Sequence, residues 1–514
     1  MPTEYFEQRE RALLGQRYEQ LYAAPQQTAE RGVTVSALRT TPEQFAQRAD
    51  FPLEPSPFCK AAFVVHQPDF KPGRHPYHHA GVFYSQEPSA SSAAPLLGVQ
   101  PGMRVLDLCA APGGKSSQLA AALQGRGVLV SNEYVAARAE ILKSNLERMG
   151  VSNAVVLNET PARIAEALPE FFDRVLVDAP CSGEGMFRKE PVALQQHCEA
   201  LVKQCAELGA QILDCAAAAL APGGQLVYST CTFAPEEDEA QVAAFLQRHP
   251  EFALADVLGN VDYTFGSAGE ENRTGGLPLD VSKVRRIWPC QGGEGHFMAR
   301  LVKAGTPRAL PAPGEYTPEE QLWLTAAAEA GKRSKGGKPQ KAAKPADARS
   351  ARRENSRACR EAVQGRSSRS REAGAGDASP AQSLAAWREF AEECFPELAK
   401  RPAVVHGGGV LLPAAFPQTN LHVLRAGVFV GSVQKGSFVP EHHLFTAFGA
   451  LCRNREELTL ADSRTVEYLS GREIEAHTAA DGWCCVTVDG WPLGGGKVSG
   501  GRVKNHYPKA LRLL

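Results

Sequence analysis

Two cysteines in this 514-residue chain stand where a nucleophile is wanted. Cys181 lies in Val177-Asp178-Ala179-Pro180-Cys181-Ser182-Gly183-Glu184-Gly185, directly after a short apolar run. Cys231 lies in Tyr228-Ser229-Thr230-Cys231-Thr232-Phe233-Ala234-Pro235, after another such run and ahead of four acids that suit a helix start. A single cysteine is more often a small buried apolar residue than a reagent, and Cys198, Cys205 and Cys215, on one helical segment, read that way. Two thiols in strand-end loops, each next to a polar or proline turn, overturn that prior and mark Cys181 and Cys231 as candidate reactive groups. Adjacent strands of a sheet stand about 4.8 Å apart, so both thiols are expected to face one small substrate.

The elements that must position them begin at Arg104, where short apolar runs alternate with helical segments, the pattern of a parallel sheet with crossover helices. Strands are expected at Arg104 to Leu108, Val128 to Asn132, Ala154 to Leu157, Arg174 to Val177 and Gln225 to Ser229. Helices are expected near Lys115 to Leu123, Ala136 to Met149 and Cys198 to Leu220. The fold class is α/β and doubly wound, so ligands belong at the carboxyl ends of the strands, where every unusual loop of this chain lies.

The first strand runs into Leu108-Cys109-Ala110-Ala111-Pro112-Gly113-Gly114-Lys115. Glycines before a helix let a ligand approach backbone amides. A phosphate-cradling loop would need glycine where Cys109 stands, and the dinucleotide pattern G-x-G-x-x-G is absent. The loop suits instead the amino-acid end of S-adenosylmethionine, with Glu133 at the second strand end accepting the ribose hydroxyls.

Around this unit, residues 4 to 21 place apolar side chains at helical spacing, and Thr41-Pro42-Glu43-Gln44 reads as a capped helix start. Residues 331 to 381 lack apolar periodicity and read as a flexible basic linker. Between Lys332 and Glu372 there are 14 Lys/Arg against four Asp/Glu, so the net charge of -1 hides a local excess suited to an anionic partner. Beyond Ser383 a helix and closely spaced short strands suggest one or two separate small domains. The 13 cysteines show no zinc spacing, so no metal is expected, and a reducing, cytoplasmic setting is. The longest uncharged run, Cys215 to Pro235, is broken by Pro222-Gly223-Gly224, so no membrane partner is expected. Oligomeric state leaves no mark in the sequence.

Together, Leu106-Asp107-Leu108-Cys109-Ala110-Ala111-Pro112-Gly113-Gly114-Lys115, the Cys181 stretch and Tyr228-Ser229-Thr230-Cys231 resemble the RNA cytosine-5 methyltransferases of the Nop/Sun family, in particular the bacterial F-type ribosomal RNA branch. The resemblance extends to Phe83–Ala90, to the stretch from Arg286 to Lys303 that contains Gly293-Glu294-Gly295-His296-Phe297, and to the C-terminal segment from Asp489. It implies a Rossmann-like core at 98–304, an N-terminal RNA-binding α/β extension at 1–97, a basic flexible linker at 305–383, an intermediate domain at 384–454 and a PUA-like RNA-binding domain at 455–514. It implies Cys231 as the nucleophile on carbon 6 of cytosine, and Cys181 as the thiol that assists product release. Asp178 would hold the cytosine edge, with Lys115 a further electrostatic or base candidate. The S-adenosylmethionine contacts carried over are Cys109, Ala110, Ala111, Pro112, Gly113, Gly114, Lys115, Glu133 and Asp178, with Asn158 where many relatives have aspartate. Phe187-Arg188-Lys189 would stack on and neutralise RNA, and basic residues with Tyr507 in the terminal domain would do the same. The expected substrate is 16S ribosomal RNA or the small ribosomal subunit. The alternatives are transfer RNA as substrate, or a catalytically silent rRNA-binding assembly factor; a nicotinamide dehydrogenase is disfavoured by the missing glycine fingerprint.

Overall fold

The computed structural model describes residues 2–23, 31–67, 69–312, 314–333 and 378–513. The opening helical stretch is two helices, Glu4–Leu14 and Arg17–Tyr22, because Gly15 between them adopts a positive φ of 54°. The capped start at Thr41 is present: its side chain accepts from the Gln44 amide and Pro42–Arg48 is helical. Four strands, β1 (Gly32–Val35), β2 (Leu53–Pro55), β3 (Ala62–Val65) and β4 (Phe83–Ser85), form an antiparallel sheet in the order β2-β3-β1-β4.

The central sheet holds β5 (Arg104–Asp107), β6 (Val128–Asn132), β7 (Ala154–Leu157), β8 (Phe172–Asp178), β9 (Leu220–Thr230), β10 (Phe252–Ala255), β11 (Arg285–Ile287) and β12 (His296–Lys303). Strands β7, β6, β5, β8 and β9 run parallel in that order. Helices Gly114–Leu123, Ala136–Arg148 and Glu199–Ala219 make crossovers close to where periodicity predicts them. Strand order reverses beside β5, and the carboxyl ends of the parallel strands β5, β6, β8 and β9 lie along the same edge of the sheet. Apolar runs alone did not reveal that the sheet continues antiparallel, with β12 on β9 and both β10 and β11 on β12.

The C-terminal third is not a detached tail. Strand Val423–Ala426 adds antiparallel to β7 and extends the central sheet at its far edge. A four-stranded sheet (Val404–His406, Gly409–Leu412, Val428–Gln434, Ser437–Pro440) packs with helix Pro380–Cys394. A five-stranded sheet built on Gly482–Val488 and Trp491–Ser499 shares one apolar core with the N-terminal sheet. There the Trp491 Nε1 donates to the Arg39 carbonyl at 3.1 Å, and Tyr507 hydroxyl meets His79 Nδ1 at 2.7 Å. Tyr507 is thus a core residue, 2% exposed, and not the RNA contact expected of it. Within the span expected as linker, Pro318–Arg333 forms a helix, residues 334–377 lie outside the described residues, and a further helix starts at Pro380.

The N-terminal helix is bound to the thiol loops by buried ion pairs. Arg9 donates through both guanidinium ends to Glu184, at 2.8 and 2.7 Å, and His197 and the Phe233 amide complete that carboxylate's shell. Next to it Glu10 accepts from Arg273 at 2.6 Å and from Tyr22 at 2.8 Å. Burial pushes the Glu184 carboxyl up, but the His197 hydrogen bond and the Arg9 charge more than offset this and hold it at about 2. A carboxylate with a depressed folded-state pKa contributes stability that is complete above about pH 4.5 and is lost on acidification toward about 2. Replacing Arg9 by Met leaves that carboxylate buried without its cation, and urea unfolding at pH 7 should show a loss of about 3–5 kcal/mol. The difference between variant and wild type should shrink as the buffer is taken below about pH 4.

Candidate active site

The loop after β5 is clamped from three sides. Tyr84 hydroxyl and Asn145 Nδ2 both donate to the Pro112 carbonyl, at 3.1 and 2.9 Å, and Arg138 donates to the Ala111 carbonyl at 2.9 Å. Ala110 N–H bonds the Asn132 carbonyl at the end of β6 at 2.8 Å. Gly113 adopts a φ of 116°, and a Cβ there would lie 3.2 Å from Leu142, so glycine is required where the chain turns into its helix. Below the loop, Asp107 accepts from Ser116 at 2.7 Å, while its Oδ1 is buried without a partner among the described residues. Burial raises this carboxyl to about 7. Burial likewise raises the Cys109 thiol, so this third strand-end cysteine is held as a neutral wall.

At the end of β6, Glu133 is buried, with Oε1 accepting from Val135 N–H at 2.8 Å and Oε2 3.5 Å from Arg138. Asn158 spends its amide hydrogens on the Glu133 and Tyr134 carbonyls, both at 2.8 Å, which leaves its oxygen as the acceptor. The donor set fits S-adenosylmethionine. Glycine-lined amides suit its carboxylate, Glu133 suits the ribose, and an amide oxygen suits the adenine amine.

The sulfur atoms of Cys181 and Cys231 lie 3.4 Å apart. Their loops are stitched together by Gly185 N–H to the Cys231 carbonyl at 2.8 Å and by Ser182 to Thr232 through their hydroxyls at 2.7 Å. A Cβ on Gly185 would stand 2.9–3.0 Å from the carbonyl oxygens of Glu294, Gly295 and Cys231, so no larger residue fits the stitch. The hydrogen bond to Cys231 and burial raise the Cys181 pKa, favouring Cys181 as the protonated member of the pair. Beside them Asp178 accepts from Lys115 at 2.8 Å and from Ser229 at 2.8 Å. Burial pushes Asp178 up, but Lys115, His296 and the two hydrogen bonds hold it lower than usual. Lys115 is pushed down by burial and raised further by Asp178, so the net direction is up and both charges persist. Lys115 is therefore a buried ion-pair partner of Asp178, where a solvated lysine is the commoner fate at a helix start.

Other readings are corrected. Cys198 is exposed at its helix start, and Cys205 and Cys215 are half-buried rather than core. Phe187 packs edge-to-face on Phe6 and His197 at 5.4 and 5.1 Å instead of presenting a stacking face. Sequence reasoning missed Asp107, Ser229, Glu237 and His296. Ser229 and Glu237 flank Cys231 in the stretch already singled out, but only the structure aims them. Among the described residues no His/Cys/Asp/Glu group is arranged to hold a metal, and no helix is long and apolar enough to cross a membrane.

A parallel sheet with its strand order reversed at β5, a glycine loop leading into a helix and an acidic residue ending the second strand define a Rossmann-like, S-adenosylmethionine-dependent methyltransferase. Comparison narrows the class. The family model "16S rRNA methyltransferase RsmB/F" matches residues 94–302, and models for the RsmF N-terminal, first C-terminal and PUA domains match 1–88, 389–448 and 455–513. A ribosomal RNA small subunit methyltransferase F from Klebsiella pneumoniae is 31% identical over 515 residues, 96% of this chain and 92% of that protein. The counterpart from Pectobacterium atrosepticum is 36% identical over 306 residues, 58% of this chain and 61% of that protein, so this match spans about three-fifths of the relative. A methyltransferase homolog from Pyrococcus horikoshii of known structure is similar at 28% identity with a TM-score of 0.52, covering 59% of this chain and 95% of that one. The chain belongs to the ribosomal RNA small subunit methyltransferase F family.

Behind Cys181, Glu237 accepts from the Ser182 amide at 2.9 Å and keeps its other oxygen buried without a partner among the described residues. Burial raises this carboxyl to about 8. A raised folded-state pKa contributes stability that is whole below about pH 4.5 and is lost as pH rises through about 8. Glu237→Gln keeps the acceptor for Ser182 and cannot ionise. Its thermal midpoint should therefore rise relative to wild type between pH 6 and pH 9, as differential scanning fluorimetry would show.

Proposed function

We propose that this protein transfers a methyl group to carbon 5 of cytosine in small-subunit (16S) ribosomal RNA through a covalent bond between Cys231 and the base. The observation that carries the reading is the pair of sulfurs 3.4 Å apart beside the Asp178–Lys115 ion pair. Carbon 5 of cytosine is too electron-poor to attack a methyl donor. Addition of the Cys231 thiolate to carbon 6 removes the ring double bond and makes carbon 5 a nucleophilic enamine. S-adenosylmethionine, when bound, supplies the electrophilic methyl group, and Cys109 to Lys115, Glu133, Asn158 and Asp178 are the residues that would hold it. The negative charge gained by the ring on addition is met at nitrogen 3 by the Lys115 ammonium, which Asp178 holds in place. Cys181, on the adjacent strand end, assists product release as the carbon 5 proton passes to solvent water. The sulfur–carbon 6 bond then breaks, the double bond re-forms and Cys231 leaves as thiolate.

A stacked cytosine hides carbon 6, so the target must be unpaired or flipped out, at a few kcal/mol. Action on ribosomal RNA makes the cytoplasm the place of work, and the PUA match at 455–513 supports an RNA partner.

Tritium transfer from methyl-labelled S-adenosylmethionine to unmodified 16S transcripts, to small subunits and to transfer RNA tests the reading. Transfer to the first or second is expected, transfer to transfer RNA alone would redirect the substrate, and none to any would favour a silent assembly factor. Cys231→Ala should lower transfer by about a thousandfold or more. Cys181→Ala should instead build up a protein–RNA adduct on a denaturing gel, and the opposite pattern would exchange the two roles.

A further inference from the structure

His296 is a buried aromatic side chain for which the chemistry above has no task. Strand β12 pairs Phe297 with Thr230 and Met298 with Ser229, so the next rung sets His296 beside Cys231. Side chains alternate across a strand, which puts His296 on the same face as Met298 and its partner Ser229, whose hydroxyl holds Asp178. The His296 Nε2 lies 3.7 Å from Asp178 Oδ1, too far for a hydrogen bond. The residue is 3% exposed, and neither ring nitrogen has a hydrogen-bond partner among the described residues.

Buried polar atoms are nearly always bonded, so two left over on one ring call for an explanation. Burial and then the Lys115 ammonium lower the ring's pKa to about 4, which leaves it neutral at pH 7 with one N–H donor and one lone pair. Asp178 already accepts from Lys115 on one oxygen and from Ser229 on the other. Each Asp178 oxygen keeps a further lone pair, and the neutral imidazole adds a second unspent acceptor beside Cys231.

We propose that His296 touches the target base and reads it as cytosine, its lone-pair nitrogen accepting a hydrogen bond from the amine on carbon 4. Uracil carries a carbonyl at that place and would set acceptor against acceptor. The proposal rests on the methyltransferase reading and adds a residue that selects the base.

Bisulfite sequencing of a 16S transcript treated with wild-type protein first locates the methylated cytosine. Two oligonucleotides spanning that site are then compared, one with cytosine and one with pyrimidin-2-one, which lacks only the amine. On His296→Phe the ratio of kcat/KM for cytosine over pyrimidin-2-one should fall about tenfold, because only cytosine loses a bond. His296→Asn, whose amide oxygen restores an acceptor, should bring the ratio back to within about threefold of wild type. A ratio unchanged in His296→Phe, or in His296→Ala should the Phe variant not fold, overturns the proposal and makes the ring a packing group. A wild-type protein that methylates no cytosine overturns the parent reading and this one with it, whereas an intact wild type with an unchanged variant ratio overturns this one alone.

Discussion

The site depends on one constraint: two sulfurs must approach to 3.4 Å without bonding, each on its own loop. Neighbouring parallel strands make this feasible, because β8 and β9 pair Asp178 with Ser229 and end together. Strand spacing alone leaves about 4.8 Å between the backbones and sets no side-chain geometry. The remaining precision comes from the Gly185 to Cys231 bond, which no side chain at 185 would permit, and from the Ser182–Thr232 pair. The glycine-rich sequence after Cys181 is thus a matter of loop-to-loop fit as well as flexibility.

Those loops are supported by parts of the chain far away in sequence. Arg9 reaches Glu184 in the Cys181 loop, and the same carboxylate takes the Phe233 amide just past Cys231, so one buried ion pair holds both. On the other side, Tyr84 at the end of the N-terminal sheet grips the cofactor-side loop through Pro112. The N-terminal sheet in turn shares its core with the terminal five-stranded sheet, and Val423–Ala426 is sewn onto β7. With the terminal sheet fastened to the N-terminal sheet and the domain before it fastened to β7, any RNA the terminal sheet binds is held at a set distance from the thiols, which a free tether would not do.

What was legible in the sequence follows from where the information is local. Five parallel strands and three crossover helices stood out because each buries a continuous apolar run or stripe within a few residues. The antiparallel additions did not, since the pairing of β12 with β9 and of Val423–Ala426 with β7 joins residues at least 67 positions apart, and both strands look like ordinary short apolar segments alone. The site split the same way. The two cysteines, Asp178, Glu133 and the glycine loop announce themselves by residue type next to strand ends. The burial of Lys115 does not, because the carboxylate that permits it is supplied from 63 positions along. Tyr507 misled for the reverse reason: an aromatic among basic residues suits RNA, yet its hydroxyl has a buried histidine to meet from the other end of the chain.

The titratable groups around the sulfurs are arranged to leave one charge free to move. Asp178 and Lys115 cancel as a pair, His296 is uncharged at neutral pH, and burial raises the Glu237 and Asp107 carboxyls toward their neutral forms. A Cys231 thiolate formed in such surroundings faces little fixed negative charge beyond the cancelled pair, and in a low-dielectric pocket small imbalances are felt strongly. When that thiolate adds to a ring, its charge passes to the base, and the nearest ammonium is the one already bonded to Asp178. An ammonium held by a carboxylate beside the sulfurs can thus serve the charge at both ends of its transfer, on the thiolate and on the ring.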